Sequence, residues 1–204
     1  ADDAGAGKTI MAGLYLREQL ARRLLRRVLI VVPAGLVGNW EREMRTLFAL
    51  DFRIVKGSEV KKRNPFVGDD SDQIIVSVDT LRSDPMFAKL QAPEVLPYDL
   101  AIFDEAHKLA ADQDPDGATG LRATDRYLLA EALAGVGGSN PRWHLEWACT
   151  HLLLLTATPH MGKEYPYYCL WRLLEPTVLP TYDAFSQRSP EWRAQHFIRR
   201  TKEE

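Results

Sequence analysis

The chain has 204 residues and a 46% hydrophobic content, which suffices for one packed core and a single domain. Its formal net charge of −2 excludes wrapping of nucleic acid by bulk positive charge, so any such contact has to be local. With neither a run of about eighteen apolar residues nor a basic-then-apolar leader, membrane insertion and export are not expected, and the cytoplasm is the expected compartment. Cys149 and Cys169 are the only cysteines and have no partner two residues away, which argues against a disulfide framework or zinc site and for free buried thiols.

The chain opens on a Gly-rich turn, Asp2-Asp3-Ala4-Gly5-Ala6-Gly7-Lys8-Thr9. From Thr9 to about Leu25, Ile10, Leu14, Leu20, Leu24 and Leu25 recur near a 3.6-residue period among Arg, Glu and Gln, which predicts an amphipathic helix. Val28-Leu29-Ile30-Val31-Val32, closed by Pro33, reads as a strand buried on both faces of a parallel sheet. A helix is expected from about Asn39 to Leu47, then strands at Arg53-Ile54-Val55, Ile74 to Val78 and Leu100 to Phe103. The stretches Lys56–Ser71 and Ala110–Thr119 read as loops, and about Leu121 to Leu133 as a helix broken by Gly135-Val136-Gly137-Gly138. Leu152 to Leu155 gives a last strand ending at Thr156, and Tyr167 to Leu174 a helix stopped by Pro176. Strands alternating with helices call for an α/β fold with a mostly parallel central sheet and helices on both faces.

Two motifs carry chemistry. In the opening turn, Gly5, Ala6 and Gly7 let backbone N–H groups close around phosphate oxygens at a helix N-terminus. Lys8 would reach the outer phosphates and the Thr9 hydroxyl a Mg2+ ion. The strict phosphate-loop pattern has Gly where Asp2 stands, so an ordinary helix-entry turn is the competing reading. About a hundred residues on, Asp104-Glu105-Ala106-His107 follows the strand Leu100–Phe103, at the strand end where α/β proteins place ligands. Asp104 suits a second Mg2+ contact and Glu105 suits orienting or deprotonating an attacking water. Helix capping explains that pair by itself but does not require the upstream Gly-Lys-Thr, so the two motifs together read as an ATPase.

These motifs, with Leu155-Thr156-Ala157-Thr158-Pro159, resemble the first lobe of superfamily two helicases over nearly the whole chain. The turn looks like the acidic DE-x-G-x-GKT of the Swi/Snf branch, with Asp3 for the usual Glu. Pro33-Ala34-Gly35-Leu36-Val37-Gly38-Asn39-Trp40-Glu41 looks like that branch's P-x-x-L-x-x-N-W segment, and His196 to Glu204 is similar to its RR-x-K-E stretch. The resemblance implies a RecA-like P-loop NTPase lobe with ATP and Mg2+ as cofactors and double-stranded DNA as partner, RNA being less expected. It implies nucleotide contacts at Gly5, Ala6, Gly7, Lys8 and Thr9, and metal and catalytic roles at Asp104, Glu105 and His107. Thr156 and Thr158, with His107, match groups that link nucleotide to nucleic-acid movement; Leu36, Ser77 and Thr80 fall in segments that approach the DNA backbone, with helix capping the alternative for the last two.

Residues 1–204 are accordingly expected to be one RecA-like lobe cut from a longer protein, without a second lobe and its arginine fingers, and weak or inactive in ATP hydrolysis alone. A catalytically silent interaction module keeping this fold is a further alternative, against which the intact Lys8, Asp104 and Glu105 speak. Asp112, Asp114, Asp116 and Gly117 imitate the start of a calcium loop, but Ala123 stands where its bidentate Glu belongs. Arg22, Arg23, Arg26 and Arg27 are expected to act structurally near a helix C-terminus, and Trp143, Trp147, Tyr165, Tyr167, Tyr168 and Trp171 to pack in a core or against another lobe.

Overall fold

The structure, a computed structural model, describes residues 7–109, 111–113, 121–136, 140–158 and 162–195. Expectations placed on 1–6, 110, 114–119, 137–138, 159 and 196–204, including Gly5, Ala6, Asp114, Asp116 and Gly117, lie outside the described residues. Five strands, β1 (Val28–Val32), β2 (Arg53–Val55), β3 (Gln73–Ser77), β4 (Leu100–Phe103) and β7 (His151–Leu154), form a wholly parallel sheet in the order β2-β3-β1-β4-β7. This is the α/β architecture that the alternating apolar runs call for.

The strands sort their side chains by parity into two cores. Val28, Ile30 and Val32 of β1, with Ile75 of β3 and Leu100 and Ile102 of β4, face helices α1 (Lys8–Ala21) and α2 (Val37–Phe48). Leu29, Val31, Ile74, Val76, Ala101 and Phe103 face the other way. That second core also holds buried residues of α3 (Val78–Leu81), α4 (Asp84–Leu90), α5 (Asp125–Ala134), α6 (Glu164–Leu174) and α7 (Tyr182–Ser186). With both faces covered, every residue of β1 is buried, which is why its sequence is a continuous apolar run.

Three expectations are corrected. Helix α1 ends at Ala21, and its buried stripe is Ala12, Gly13 and Leu16, leaving Ile10 and Leu14 exposed. The rotation follows from packing: Phe48 of α2 lies so close that a Cβ on Gly13 would meet its ring at 2.1 Å, so the contact needs glycine's side of the helix. Next, Ala111–Gln113 is strand β5 and Leu121–Ala123 is strand β6, an antiparallel pair, where a loop and the start of a helix were expected. Helix α5 begins only at Asp125, because Thr124 is extended and its Oγ1 accepts from the Tyr127 amide as an N-cap. Finally, the strand expected at Ile74–Val78 ends at Ser77, and Val78 opens α3.

The aromatic residues pack, as expected. Trp143 is buried 4.8 Å from the Phe87 ring, and Tyr168 and Trp171 pack with Phe185. Of the four arginines near the end of α1, Arg26 and Arg27 are held by Asp72 and act structurally, at the rim where β1 and β3 begin. Burial pushes the Cys149 and Cys169 thiols up to about 12, so neither is a nucleophile at neutral pH.

Candidate active site

All five strands run the same way, so the residues that follow β1, β3, β4 and β7 gather at one rim. Helix α1 returns its N-terminus to that rim. It ends at Ala21, the turn Arg22–Arg27 leads into β1 at the opposite rim, and α1 packs on α2 beside the sheet. Gly7 caps α1 with φ 80°, a left-handed value that glycine adopts without strain. The first helical amides have no intrahelical acceptor. No acidic side chain stands in the first turn of α1, and Lys8 is its first residue, so the positive end of the dipole is not offset from within that turn.

At the end of β4 the chain makes a tight turn. The Asp104 amide donates to Val31 O at 3.0 Å, the last rung between β4 and β1. Glu105 then adopts φ 52° and ψ 45°, left-handed and costly for a residue with a Cβ, of order 1–2 kcal/mol. The result is that the Ala106 amide reaches Leu155 O at 2.9 Å, fastening the turn to the end of β7.

Both oxygens of the Asp104 carboxylate accept from this chain. Oδ1 accepts from the Glu105 amide at 2.8 Å and Oδ2 from the Trp40 indole Nε1 at 2.9 Å. Glu105 Oε2 lies 3.2 Å from His107 Nδ1, and the same nitrogen lies 3.0 Å from Thr156 Oγ1, which accepts from the Thr158 amide at 3.2 Å. Asp104, Glu105, His107, Thr156 and Thr158 are thereby joined across the ends of β4 and β7. Desolvation holds His107 below its ordinary 6.5, opposed by the negative charge of Glu105 and Asp104 and assisted by the positive charge of Lys108 and Lys8. Helix α1, which begins at Lys8, turns its N-terminus to the same rim.

The remaining expected residues are placed differently. Ser77 Oγ accepts from the Thr80 amide at 3.0 Å and donates to Thr80 Oγ1 at 2.8 Å, so both hydroxyls serve the N-cap of α3. Leu36 is partly buried against the α1–α2 core. A cavity of about 90 Å3 beside Asp104 and Glu105 is lined by Val31, Val78 and Phe103 and by Asp79, Lys108 and Arg126. It has room for a few waters and not for a nucleotide. A cleft of about 580 Å3 runs from His107 past Arg122 and Lys163 to Leu170. Lys8 lines neither. Sequence reasoning missed Trp40, whose only signal was its place in the Asn39-Trp40 pair of the segment after β1.

The donor set fits a nucleotide-bound Mg2+ ion. Among the described residues no group of three or more His, Cys, Asp or Glu could hold a metal by itself. Mg2+ bound with a nucleotide takes only one or two protein oxygens beside phosphate oxygens and waters, and a carboxylate and a hydroxyl are the hard oxygen donors that suit it.

The family model for the SNF2-related domain matches residues 1–119. The chain is 30% identical over 187 residues to an uncharacterized ATP-dependent helicase, YqhH, of Bacillus subtilis, covering 92% of this chain and 28% of that protein. It is 33% identical over 199 residues to the RNA polymerase-associated protein RapA of Pseudomonas aeruginosa, covering 95% of this chain and 18% of that one. Among solved structures, the Sulfolobus solfataricus SWI2/SNF2 ATPase core in complex with dsDNA superposes with a TM-score of 0.68 at 22% identity, over all of this chain and 40% of that one. The chain thus spans less than a third of the curated relatives it matches. No helix among the described residues is long and apolar enough to cross a membrane. The parallel five-stranded sheet, the match over residues 1–119 and the relatives agree: the chain belongs to the SNF2-related domain family, with the fold of a RecA-like lobe.

Proposed function

We propose that residues 1–204 are the first, ATP-binding lobe of a Swi/Snf-type motor that couples ATP hydrolysis to movement along double-stranded DNA. The observation that supports this reading is the cluster of Asp104, Glu105, His107, Thr156 and Thr158 at the strand-end rim to which helix α1, beginning at Lys8, also turns its N-terminus. In this reading Gly5, Ala6 and Gly7 offer backbone amides to phosphate oxygens, and Lys8 neutralises the outer phosphates. Thr9 and Asp104 would hold Mg2+, which would supply positive charge to offset that of the transferring group.

Glu105 then orients a water for in-line attack and takes its proton. The carboxylate is suited to that because, among the described residues, its ion-pair partner is the neutral-leaning His107 at Nδ1 rather than a Lys or Arg. His107, Thr156 and Thr158 tie that carboxylate to the end of β7, so a shift at the nucleotide would be felt in the strand that leads toward a second lobe. Leu36, Ser77 and Thr80 are proposed to face the DNA backbone. The Ser77–Thr80 cap sets the start of α3 at this rim, and a contact there would meet phosphate without reading sequence. The second RecA-like lobe would supply arginine fingers, so this chain alone is proposed to hydrolyse ATP weakly.

The test is ATP hydrolysis by the protein that carries this lobe, with duplex DNA, single-stranded DNA or RNA added, beside a Lys8→Ala variant. Stimulation by duplex DNA that disappears in the variant is expected. Stimulation by RNA alone would turn the reading to an RNA helicase, and equal absence of hydrolysis in both proteins to a silent module.

A further inference from the structure

Trp40 is the residue at this rim to which the reading above gives no task. It stands in the first turn of α2 and begins a buried stripe, Trp40, Met44 and Phe48, at four-residue spacing. The ring is only 2% exposed and shares its core with Ala12 and Leu16 of α1, the helix that begins at Lys8 and Thr9. Burying an indole that deeply leaves its N–H in need of an acceptor, since the group donates and cannot accept. That acceptor is Asp104 Oδ2 at 2.9 Å, 64 residues away in sequence.

The geometry has a chemical consequence for Asp104. Its two oxygens offer about four lone-pair sites. One on Oδ1 goes to the Glu105 amide and one on Oδ2 to the indole, and the donors come from different elements. Two donors on opposite oxygens fix both the position and the plane of a carboxylate, while neither neutralises it as a cation would. Among the described residues, these two donors leave one lone pair on each oxygen for a metal ion or its water. Protein metal sites depend on such outer partners to orient the ligating oxygen.

We propose that Trp40 is a positioning residue for nucleotide-bound Mg2+: its indole N–H holds the Asp104 carboxylate in the orientation that accepts the ion. The proposal rests on the assignment of Asp104 to Mg2+ in the reading above. Through the shared core, the same ring also sets the Asp104 carboxylate relative to α1, so that one side chain registers the two halves of the nucleotide site.

The test follows binding of a fluorescent N-methylanthraniloyl ATP to the chain while Mg2+ is titrated, which needs no turnover. Trp40→Phe keeps an aromatic ring in the core and removes only the donor. Its half-saturating Mg2+ concentration should rise roughly tenfold, the usual scale for loss of an outer-shell partner, while affinity for the nucleotide without Mg2+ stays at the wild-type value. Wild-type Mg2+ dependence in Trp40→Phe overturns the proposal, and so does an equal loss of nucleotide affinity with and without Mg2+, which marks a packing defect. Should Trp40→Phe fail to fold, β-(3-benzothienyl)alanine at position 40 keeps the indole's shape without its N–H, and the same two criteria apply. Lys8→Ala and Asp104→Asn separate the two levels of the argument. If both bind the nucleotide as the wild type does, with and without Mg2+, the site assignment itself fails; if they are impaired and Trp40→Phe is not, only the role of Trp40 falls.

Discussion

At the rim where β1, β3 and β4 begin, Asp72 and Asp99 are enclosed by cations and amides; at the rim where the same strands end, Asp104 and Glu105 are held by neutral donors. The Arg27 guanidinium is 8% exposed, donates to Asp72 Oδ1 at 2.7 Å, Ser71 Oγ at 3.0 Å and Phe66 O at 3.2 Å, and lies 4.5 Å over the Tyr98 ring. Arg26 adds a second bond to Asp72, and Asp99 Oδ2 accepts from the Arg26 and Arg27 amides at 2.7 and 2.8 Å. Across the sheet, no Lys or Arg is ion-paired with Asp104 or Glu105 among the described residues. Their partners are an indole, an amide and an imidazole held below its usual protonation range. A carboxylate matched by a buried guanidinium has little left for a ligand. One fixed by neutral donors keeps its charge to offer. Set side by side, Asp72 and Asp104 teach that polarity at a sheet edge does not by itself mark a site; the charge type of the side-chain partners helps to tell the two apart.

The largest effect should come from breaking the first rim. Arg27→Ala leaves Asp72, Ser71 and the Phe66 carbonyl without their buried donor, and a loss of about 3 kcal/mol in denaturant unfolding is expected. The folded fraction should still bind nucleotide. A loss under about 1 kcal/mol would mean that this rim does not hold the sheet together. The element that spans both rims is α1, and there Gly13→Ala tests the close approach of Phe48. An exposed helical glycine gains up to about 1 kcal/mol on this change, whereas here a loss of about 1–3 kcal/mol is expected, together with weaker nucleotide binding as Lys8 shifts. A gain in melting temperature would show that the helix relaxes freely.

How much of this could be read in advance divides along the same lines. Strands β1 and β4 were legible because a central parallel strand is buried on both faces and needs an unbroken apolar run, and the Asp104–His107 motif follows such a run directly. The β5–β6 pair was not, since Asp112, Gln113 and Arg122 give it no apolar alternation and Leu121 falls in phase with the helix beyond. The face of α1 was misread because its apolar period includes Ile10 and Leu14, while the buried stripe is decided by Phe48, a residue on another helix. Trp40 was visible as part of a motif but silent as to partner, because spacing along a chain says nothing about a contact made 64 residues on.

Smaller effects sharpen the second rim. Ser77→Ala removes the N-cap of α3, and a loss of about 1 kcal/mol is expected from thermal unfolding. If Ser77 serves only as a cap, duplex-DNA affinity of the parent protein should fall no more than stability does; a larger fall would mark direct contact. The smallest effect is the acid limb of His107. Its folded-state pKa lies below 6.5, so as pH falls the unfolded chain takes up the proton first, and the increment of stability present above pH 6.5 is lost below it. His107→Gln should flatten the decline of melting temperature below pH 6.5 relative to the wild type. A steeper decline in the variant would reverse the sign of this argument.

The most direct test of the whole account is calorimetric binding of ATP, with and without Mg2+, to the wild type, Lys8→Ala, Asp104→Asn and Asp99→Asn. Lys8→Ala should lose ATP binding; Asp104→Asn should lose the Mg2+-dependent part of it together with about 1–3 kcal/mol of stability, because its amide leaves one of two donors without an acceptor; and Asp99→Asn should lose stability while binding as the wild type does. The account is contradicted if Asp104→Asn keeps full Mg2+-dependent binding, or if Lys8→Ala binds ATP as tightly as the wild type.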